Sequence, residues 1–564
     1  MTEFVIALAV VFVTAGALLL VANQLGLPPI PFYIIAGLIT GLVVGQPALV
    51  ELALWGIAFL VFVFGIRIDL GDLQSVLRDG EVAALTQLAL VAPIAVGIGY
   101  LLGDLFGFED PFRNAIYFGA AATLSSTLVG GAVLAEEIRN DLVYGRLASS
   151  VHFFDDVVAI MALVVLSAEV ITDAQLITSK IGYAVLFVLA GLLIYRHGYP
   201  ALVRISDGGE ELILMGSISI LIAFLAAAET VGISIVVGAF AAGLAVRSEG
   251  VESLAVRNGI ESIKDFFAAI FFVTLGALVA VPTIEVVVLS SILTLLVIAA
   301  NPALHALAFV FEGYDGRTAF LAGSSLNQVS ELSLVIAIQA WLLGTIAPPL
   351  FEAIVLAGVA TMIIGAVSER YENAFYDAIL EPILSGRTRY IDTNSSVEDG
   401  LTDHVVVVGY GRQGRRVVET LEELGEEYVV LENDPTLLDD LRADCRNYVL
   451  GDAMASYPMD LARVDRAQLV ISTADHRPVS ESILALETRA DVILRADKSG
   501  EARELLAAGA EFVAVPDVLA ADQLVDNVER VLGDERAVDS LEAEHRNYLE
   551  AMKLFDVERR LGRR

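Results

Sequence analysis

Asp155 and Asp156 stand side by side in the run SSVHFFDDVVAIMALVV, flanked by apolar residues and with no Lys or Arg among them. A charge at mid-bilayer costs at least about 2.5–3.5 kcal/mol, so a carboxylate pair kept in such a run points to an ion or proton pathway. On a helix the two side chains diverge by about 100°, so one can line a cavity while the other faces a neighbouring helix. A purely structural pair, satisfied by helix hydroxyls, is the alternative. His152 lies one turn before Asp156 on the same face. It either tunes proton release near neutral pH or is simply packed and hydrogen-bonded.

Two further apolar runs are interrupted by small polar residues. NAIYFGAAATLSSTLVGGAVLAEE is broken by Thr123, Ser125, Ser126 and Thr127. AFLAGSSLNQVSELSLVIAIQ is broken by Ser324, Ser325, Asn327, Gln328, Ser330 and Glu331. Unwound backbone at such places frees carbonyls for a cation, and the half-helix ends set opposed dipoles against each other. Ser and Thr packed in an ordinary bundle would explain the first interruption but not Asn327–Glu331.

The third constellation is Gly409, Gly411 and Gly414, which form GxGxxG between the apolar run HVVVV and a helix beginning near Gln413. The first glycine allows a tight turn, the second lets a pyrophosphate approach the backbone, and the third lets helix and strand pack closely. Phosphate would rest on the helix N-terminus, beside Arg412 and Gln413. Glu432 ends the next apolar run and could accept a ribose hydroxyl. A fold of this kind that has lost its ligand is the competing reading.

These groups need elements to hold them, and composition says which. The chain has 564 residues, 56% apolar and 19% charged, with a mean hydropathy of +0.70. Residues 1–370 hold 13 basic and 30 acidic residues, and the remainder 22 and 40. The first part therefore reads as an all-α membrane domain, residues 371–402 as a linker, 403–517 as a soluble α/β domain and 518–564 as a helical tail. Thirteen apolar stretches precede residue 370, near 3–22, 31–45, 51–66, 81–102, 115–135, 147–170, 177–195, 210–228, 230–247, 263–280, 284–310, 318–340 and 348–368. The first lacks a basic leader and a cleavage site, so it reads as a membrane helix and not a signal peptide.

With the C-terminus in the cytoplasm, thirteen crossings put the N-terminus outside. Arg67, Arg78, Arg139, Arg146, Arg196, Arg204, Arg247, Arg257, Lys264, Arg317 and Arg370 then fall on the cytoplasmic side. Only Arg113 and Lys180 fall outside, as the positive-inside rule asks. The two interrupted runs are the fifth helices of two six-helix halves, the pattern of an inverted-repeat transporter. After residue 403, apolar runs at Tyr448–Leu450, Leu469–Ser472, Val492–Arg495 and Phe512–Val515 alternate with helical stretches, as a parallel sheet requires. In the tail, Leu524, Val528 and Val531 share a helical face, continued by Leu541, Tyr548, Met552 and Phe555. That face packs on its own domain or on a second subunit.

The formal net charge is −35, which argues against nucleic acid or anionic lipid as a partner. With Arg far outnumbering Lys, the acidic excess reads as adaptation to a salty cytosol. The single Cys445 excludes an internal disulfide.

Residues 1–370 resemble the monovalent cation:proton antiporter-2 superfamily, which includes Kef-type potassium efflux systems and sodium–proton antiporters. The matching stretches are ATLSST at 122–127, FFDDVVAI at 153–160, VGISIVVGAFAAGL at 231–244, FFVTLGA at 271–277 and NQVSELSLV at 327–335. The resemblance implies a homodimeric antiporter in the lipid bilayer, its broken helices crossing at the ion site. It places Asp156 on the family's acid, and Asp155 where electrogenic members carry Asp and Kef-type members Gln. Thr123 and Ser126 fall on one unwound stretch, Gln328 and Glu331 on the other. Asn301 stands where the family usually has a Lys opposite the acids, and an Asn cannot pair with Asp155 as a cation.

The soluble part resembles the TrkA-N, or potassium-conductance-regulating, Rossmann domain through GYGRQG, ENDP, GDA with Asp452, VISTAD, RAD and AAGAEFVAVP. That implies NAD(H) or AMP as a regulatory ligand. The expected function is exchange of Na⁺ or K⁺ for protons by alternating access, with the nucleotide biasing a two-state dimer. The alternative is a nucleotide-gated K⁺ efflux channel, but no filter loop like TVGYG is present. A membrane-tethered dehydrogenase lacks a second catalytic domain, so no enzyme activity is expected, and nothing has resident-metal spacing.

Overall fold

The structure is a computed structural model. It describes residues 2–44, 46–67, 82–135, 138, 142–166, 174–206, 209–246, 254–380, 388–398, 400–486, 488–533, 541 and 546. Arg78, Arg139 and Arg247 of the charge pattern lie outside the described residues, as do Tyr548, Met552 and Phe555 of the tail. The chain forms two compact units, residues 1–386 and 387–564.

The first unit is helical. Among the described residues, the apolar stretches are occupied by helices, some continuous and some divided into half-helices. Among the described residues, seven helices are long and apolar enough to cross a membrane, and shorter apolar helices such as Pro29–Thr40 and Ile235–Val246 lie among them. Two of the family motifs turn out to serve close packing. A Cβ on Gly243 would come 2.1 Å from the Phe62 carbonyl oxygen, and one on Gly276 would come 2.0 Å from that of Ile34. Only glycine lets those backbones touch, the small-residue packing that joins helices where lipid offers no hydrophobic drive.

Three helices widen into a π turn, at Gln87–Val91, Ile194–Gly198 and Leu296–Ala300. Each turn is followed two residues on by a proline, Pro93, Pro200 or Pro302. Proline has no N–H and crowds the carbonyl one turn back, so the helix opens there. The widening brings Gln87 and Asn301 to the interior.

The two interrupted segments are broken as their polar residues suggest. One runs Pro111–Thr123, then Thr127–Val133. The other runs Gly316–Ser324, then Glu331–Leu342. Ser126 and Ser330 cap the second halves through their own hydroxyls, accepting from Val129 N–H and Leu332 N–H.

The second unit is a six-stranded parallel sheet: β1 Val405–Val408, β2 Tyr428–Glu432, β3 Tyr448–Leu450, β4 Leu469–Ser472, β5 Asp491–Arg495 and β6 Phe512–Ala514. The spatial order is β3-β2-β1-β4-β5-β6. Val405 pairs with Tyr428 on one side and Leu469 on the other. Strands β1 to β3 are buried along their whole length, as strands covered by helices on both faces must be. The order reverses between β1 and β4, and ligands of doubly wound sheets bind beyond the strand ends at such a point. The stretch expected as a polar linker contributes a helix at Thr388–Asn394, and Ser396 bridges Tyr448 on β3.

Candidate functional site

The two broken segments cross. Ser125 and Val329 form an antiparallel bridge, and Ser330 N–H donates to the Leu124 carbonyl at 3.1 Å. At the crossing, the C-terminal ends of two half-helices face the N-terminal ends of two others, so partial charges of both signs meet at one place.

The carboxylates of the Val143–Leu166 helix part ways there. Asp155 is 2% exposed. Its Oδ2 accepts from the Ser125 N–H at 2.8 Å and the Ser125 hydroxyl at 2.5 Å. Asp156 is half-buried and accepts from the Thr127 hydroxyl at 2.8 Å. Asp155 thus fixes the extended stretch, and Asp156 sits beside the start of the following half-helix. His152 belongs to Asp155 rather than to Asp156: its Nδ1 lies 3.1 Å from the Ser125 oxygen. Since the hydroxyl proton goes to Asp155, His152 donates.

The carbonyls expected to be free for a cation are largely taken. Ala120 accepts from the Ser333 hydroxyl at 3.3 Å and Ala122 from Asn301 Nδ2 at 2.6 Å. Thr123 accepts from Gln87 Nε2. A buried helix end leaves its last carbonyls without intrahelical partners; Asn301 and Gln87 supply those of Ala122 and Thr123, while Ala120 also accepts from Leu124 N–H at 3.2 Å. Asn301 therefore closes a helix end and does not face either acid as a charge partner would. Thr123 returns its hydroxyl to Gly119 at 2.7 Å.

Ser126 donates to Glu331 Oε1, which joins the two broken segments through side chains. Glu331 Oε2 and Gln328 Oε1 are buried without a hydrogen-bond partner. Thr361, from the helix Pro348–Glu369, accepts the Val329 N–H at 3.1 Å. Gln87 and Thr361 had no signal in the sequence beyond a polar side chain in an apolar run, though Pro93 marks the widened turn that holds Gln87.

In the soluble unit, Gly409 has φ +92°, a backbone open to glycine but strained for other residues. A Cβ on Gly414 would come 1.9 Å from the Gly409 carbonyl oxygen. Gly411, Arg412 and Gln413 are exposed at the start of the helix Arg412–Leu424. Nothing lies within 4 Å of where a Gly411 Cβ would be. The three glycines thus have the shape of a phosphate cradle.

Glu432 is more occupied than expected. Its carboxylate accepts from Tyr410 N–H at 2.6 Å, Asn433 N–H at 2.8 Å and Asp434 N–H at 2.9 Å. Burial pushes this carboxyl above its ordinary range, with the Tyr410 N–H opposing. A carboxylate has about four acceptor positions, so one remains for a ribose hydroxyl. Asp452, at the end of β3, accepts from Met454 N–H at 2.9 Å. Across the crevice, Arg495 pairs with Asp475 at 3.2 Å and reaches Gln413 Oε1 at 3.4 Å. The Thr473 hydroxyl holds the glycine turn through the Val408 and Gly409 carbonyls at 3.1 and 3.2 Å.

Residues 8–369 match the transmembrane sodium/hydrogen exchanger family, and residues 405–516 match the TrkA-N domain. YbaL of Escherichia coli (strain K12) is 27% identical over 532 residues, covering 89% of this chain and 93% of YbaL. The glutathione-regulated potassium-efflux system protein KefC of Escherichia coli O81 is 26% identical over 493 residues, 83% of this chain and 75% of KefC. The sodium proton antiporter MjNhaP1 of Methanocaldococcus jannaschii aligns at a TM-score of 0.49 and 14% identity. It covers 68% of this chain and all of its own.

Proposed function

Because the chain belongs to the sodium/hydrogen exchanger family and is a cation:proton antiporter of the membrane with a cytoplasmic TrkA-N domain, we propose that it exchanges K⁺ or Na⁺ for protons by alternating access under nucleotide control. The observation that carries this is the Ser125–Val329 crossing, with Asp155 clamped into it and Asp156 half-buried beside it. Asp156 holds either a proton or a dehydrated cation, and competition for that one carboxylate couples the two fluxes. Asp155, Ser126, Gln328 and Glu331 frame the ion, while Thr123 and Asn301 hold the broken helix end. KefC is named for potassium efflux, which favours K⁺.

In this reading residues 1–370 cross the membrane thirteen times as an inverted repeat and pair as a homodimer. Residues 371–402 connect, 403–517 bind NAD(H) or AMP, and 518–564 form the tail. The glycine cradle of Gly409, Gly411 and Gly414, with Arg412, Gln413, Glu432 and Asp452 around it, supports the nucleotide.

Proton flux in proteoliposomes, driven in turn by K⁺, Na⁺ and choline gradients with and without imposed voltage, tests the exchange. A flux that ignores K⁺ and Na⁺ alike would overturn it. Calorimetric titration of the full-length protein with NAD, AMP and NADP tests the ligand. NADP should bind more weakly, because its 2′-phosphate approaches Glu432.

A further inference from the structure

A small cavity opens between the second broken segment and the end of the helix Pro348–Glu369. Ser324, Asn327, Gln328, Ser368, Glu369 and Glu372 line it, and its volume is ≈ 10 Å³. That is room for one water-sized particle. Asn327 and Gln328 are 6% and 2% exposed, and their amide oxygens have no hydrogen-bond partner. The orientation of Asn327 is forced. Its Nδ2 meets the Ser368 oxygen at 3.3 Å, and the Ser368 hydroxyl already donates to the Gly365 carbonyl at 2.8 Å. Ser368 can therefore only accept from Asn327, which leaves Oδ1 as the bare atom. Gly365 makes the space: a Cβ there would come 2.5 Å from Asn327 Oδ1 and 2.9 Å from Gln328 Cγ.

Two features beside the bare oxygens favour positive charge. Ser324 and Glu369 are the last residues of their helices, so two helix C-termini with their partial negative charges border the cavity. The Glu369 and Glu372 carboxylates line it as well, each with further partners, and Glu372 accepts from the Ser324 hydroxyl at 2.6 Å. No group of three His, Cys, Asp or Glu among the described residues is placed for a metal ion. Neutral amide and hydroxyl oxygens with nearby carboxylates suit a weakly held monovalent cation. The chain leaves this helix for the cytoplasmic domain, so the cavity is on the cytoplasmic side, and Gln328 stands three residues before Glu331.

Resting on the transport reading, we propose that this cavity is a second K⁺ or Na⁺ site, a cytoplasmic waiting position whose ligands include Asn327 Oδ1 and Gln328 Oε1. It shares Gln328 with the frame around Asp156 but does not include Asp156 itself, and that makes it testable. Full-length Asp156→Asn protein in detergent is titrated calorimetrically with KCl and NaCl at constant ionic strength against choline chloride. One cation should still bind. Adding Asn327→Leu should weaken that binding by about tenfold or more, the scale for losing a hydrogen-bonding oxygen to a charge. Glu369→Gln, at the helix end and less demanding for folding, should weaken it in the same direction. With Asp156 intact, Asn327→Leu should raise the half-saturating cytoplasmic cation concentration and leave the maximal rate in place. Absence of cation binding in Asp156→Asn overturns the second site while leaving exchange at Asp156 untouched. Undiminished binding in both Asn327→Leu and Glu369→Gln overturns it too. Binding that behaves as expected in a wild-type protein without exchange would retain the site and discard the transport reading.

Discussion

At the scale of single residues, neighbouring carboxylates carry opposite expectations. Asp156→Asn should abolish cation-driven proton flux in proteoliposomes while the protein stays folded, because no carboxylate remains to hold proton and cation in turn. Near-normal flux would remove Asp156 from the mechanism. Asp155→Asn keeps an acceptor oxygen for the Ser125 N–H and should retain part of the flux. Asp155→Leu leaves that N–H buried and unpaired, which costs about 1–3 kcal/mol. It should lower the unfolding temperature measurably more than Asp155→Asn does. The acids and the polar interruptions were legible in the sequence because charge and broken periodicity stand out against an apolar background. The roles of Asn301 and Gln87 were not. A hydrogen bond from Asn301 to Ala122 spans 179 residues, and no local pattern records which carbonyl a side chain will reach.

At the scale of elements, the glycine turn separates folding from binding. Gly414→Ala forces a methyl against the Gly409 carbonyl and should destabilise the soluble unit by about 1–3 kcal/mol, read from denaturant unfolding. A Cβ at Gly411 would meet no atom within 4 Å, so Gly411→Asp should leave stability nearly unchanged. Its carboxylate would nevertheless stand where phosphate rests, so nucleotide binding should be lost. Undiminished binding would mean that the ligand does not use the turn. The β-strands were readable to within a residue, since a buried parallel sheet writes itself as continuous apolar runs. Ser396 bridging Tyr448 was hidden, because edge pairing of a polar segment leaves no hydrophobic trace. The crevice also holds a pH-dependent group. Burial, with Asp497 nearby, pushes Asp475 from 3.8 up to about 6. Between those values the folded unit binds more protons than the unfolded chain, so this contribution to stability falls as pH rises. Asp475→Asn should flatten the pH dependence of unfolding across that window.

At the scale of the whole molecule, 70 acidic residues against 35 basic ones set the response to salt. Ion pairs on the soluble unit include Arg477 with Glu481 and Glu504. Exposed pairs of this kind contribute little on their own. The larger effect is mutual repulsion arising from the excess of acids over bases, which opposes the compact state. Its range is the Debye length, about 10 Å at 0.1 M salt and 3 Å at 1 M. Raising salt across that interval should therefore raise the unfolding temperature, even though the exposed ion pairs weaken over the same range. Repulsion dominates because acids outnumber bases two to one. If screening is the cause, KCl, NaCl and choline chloride should act alike at equal ionic strength. An increment seen with K⁺ and Na⁺ but not with choline, and removed by Asn327→Leu, would instead report cation bound beside Gln328. An unfolding temperature that falls steadily from 0.1 to 1 M in all three salts would show that attractive pairs outweigh repulsion, and the acidic excess would then have no stabilising link to salt.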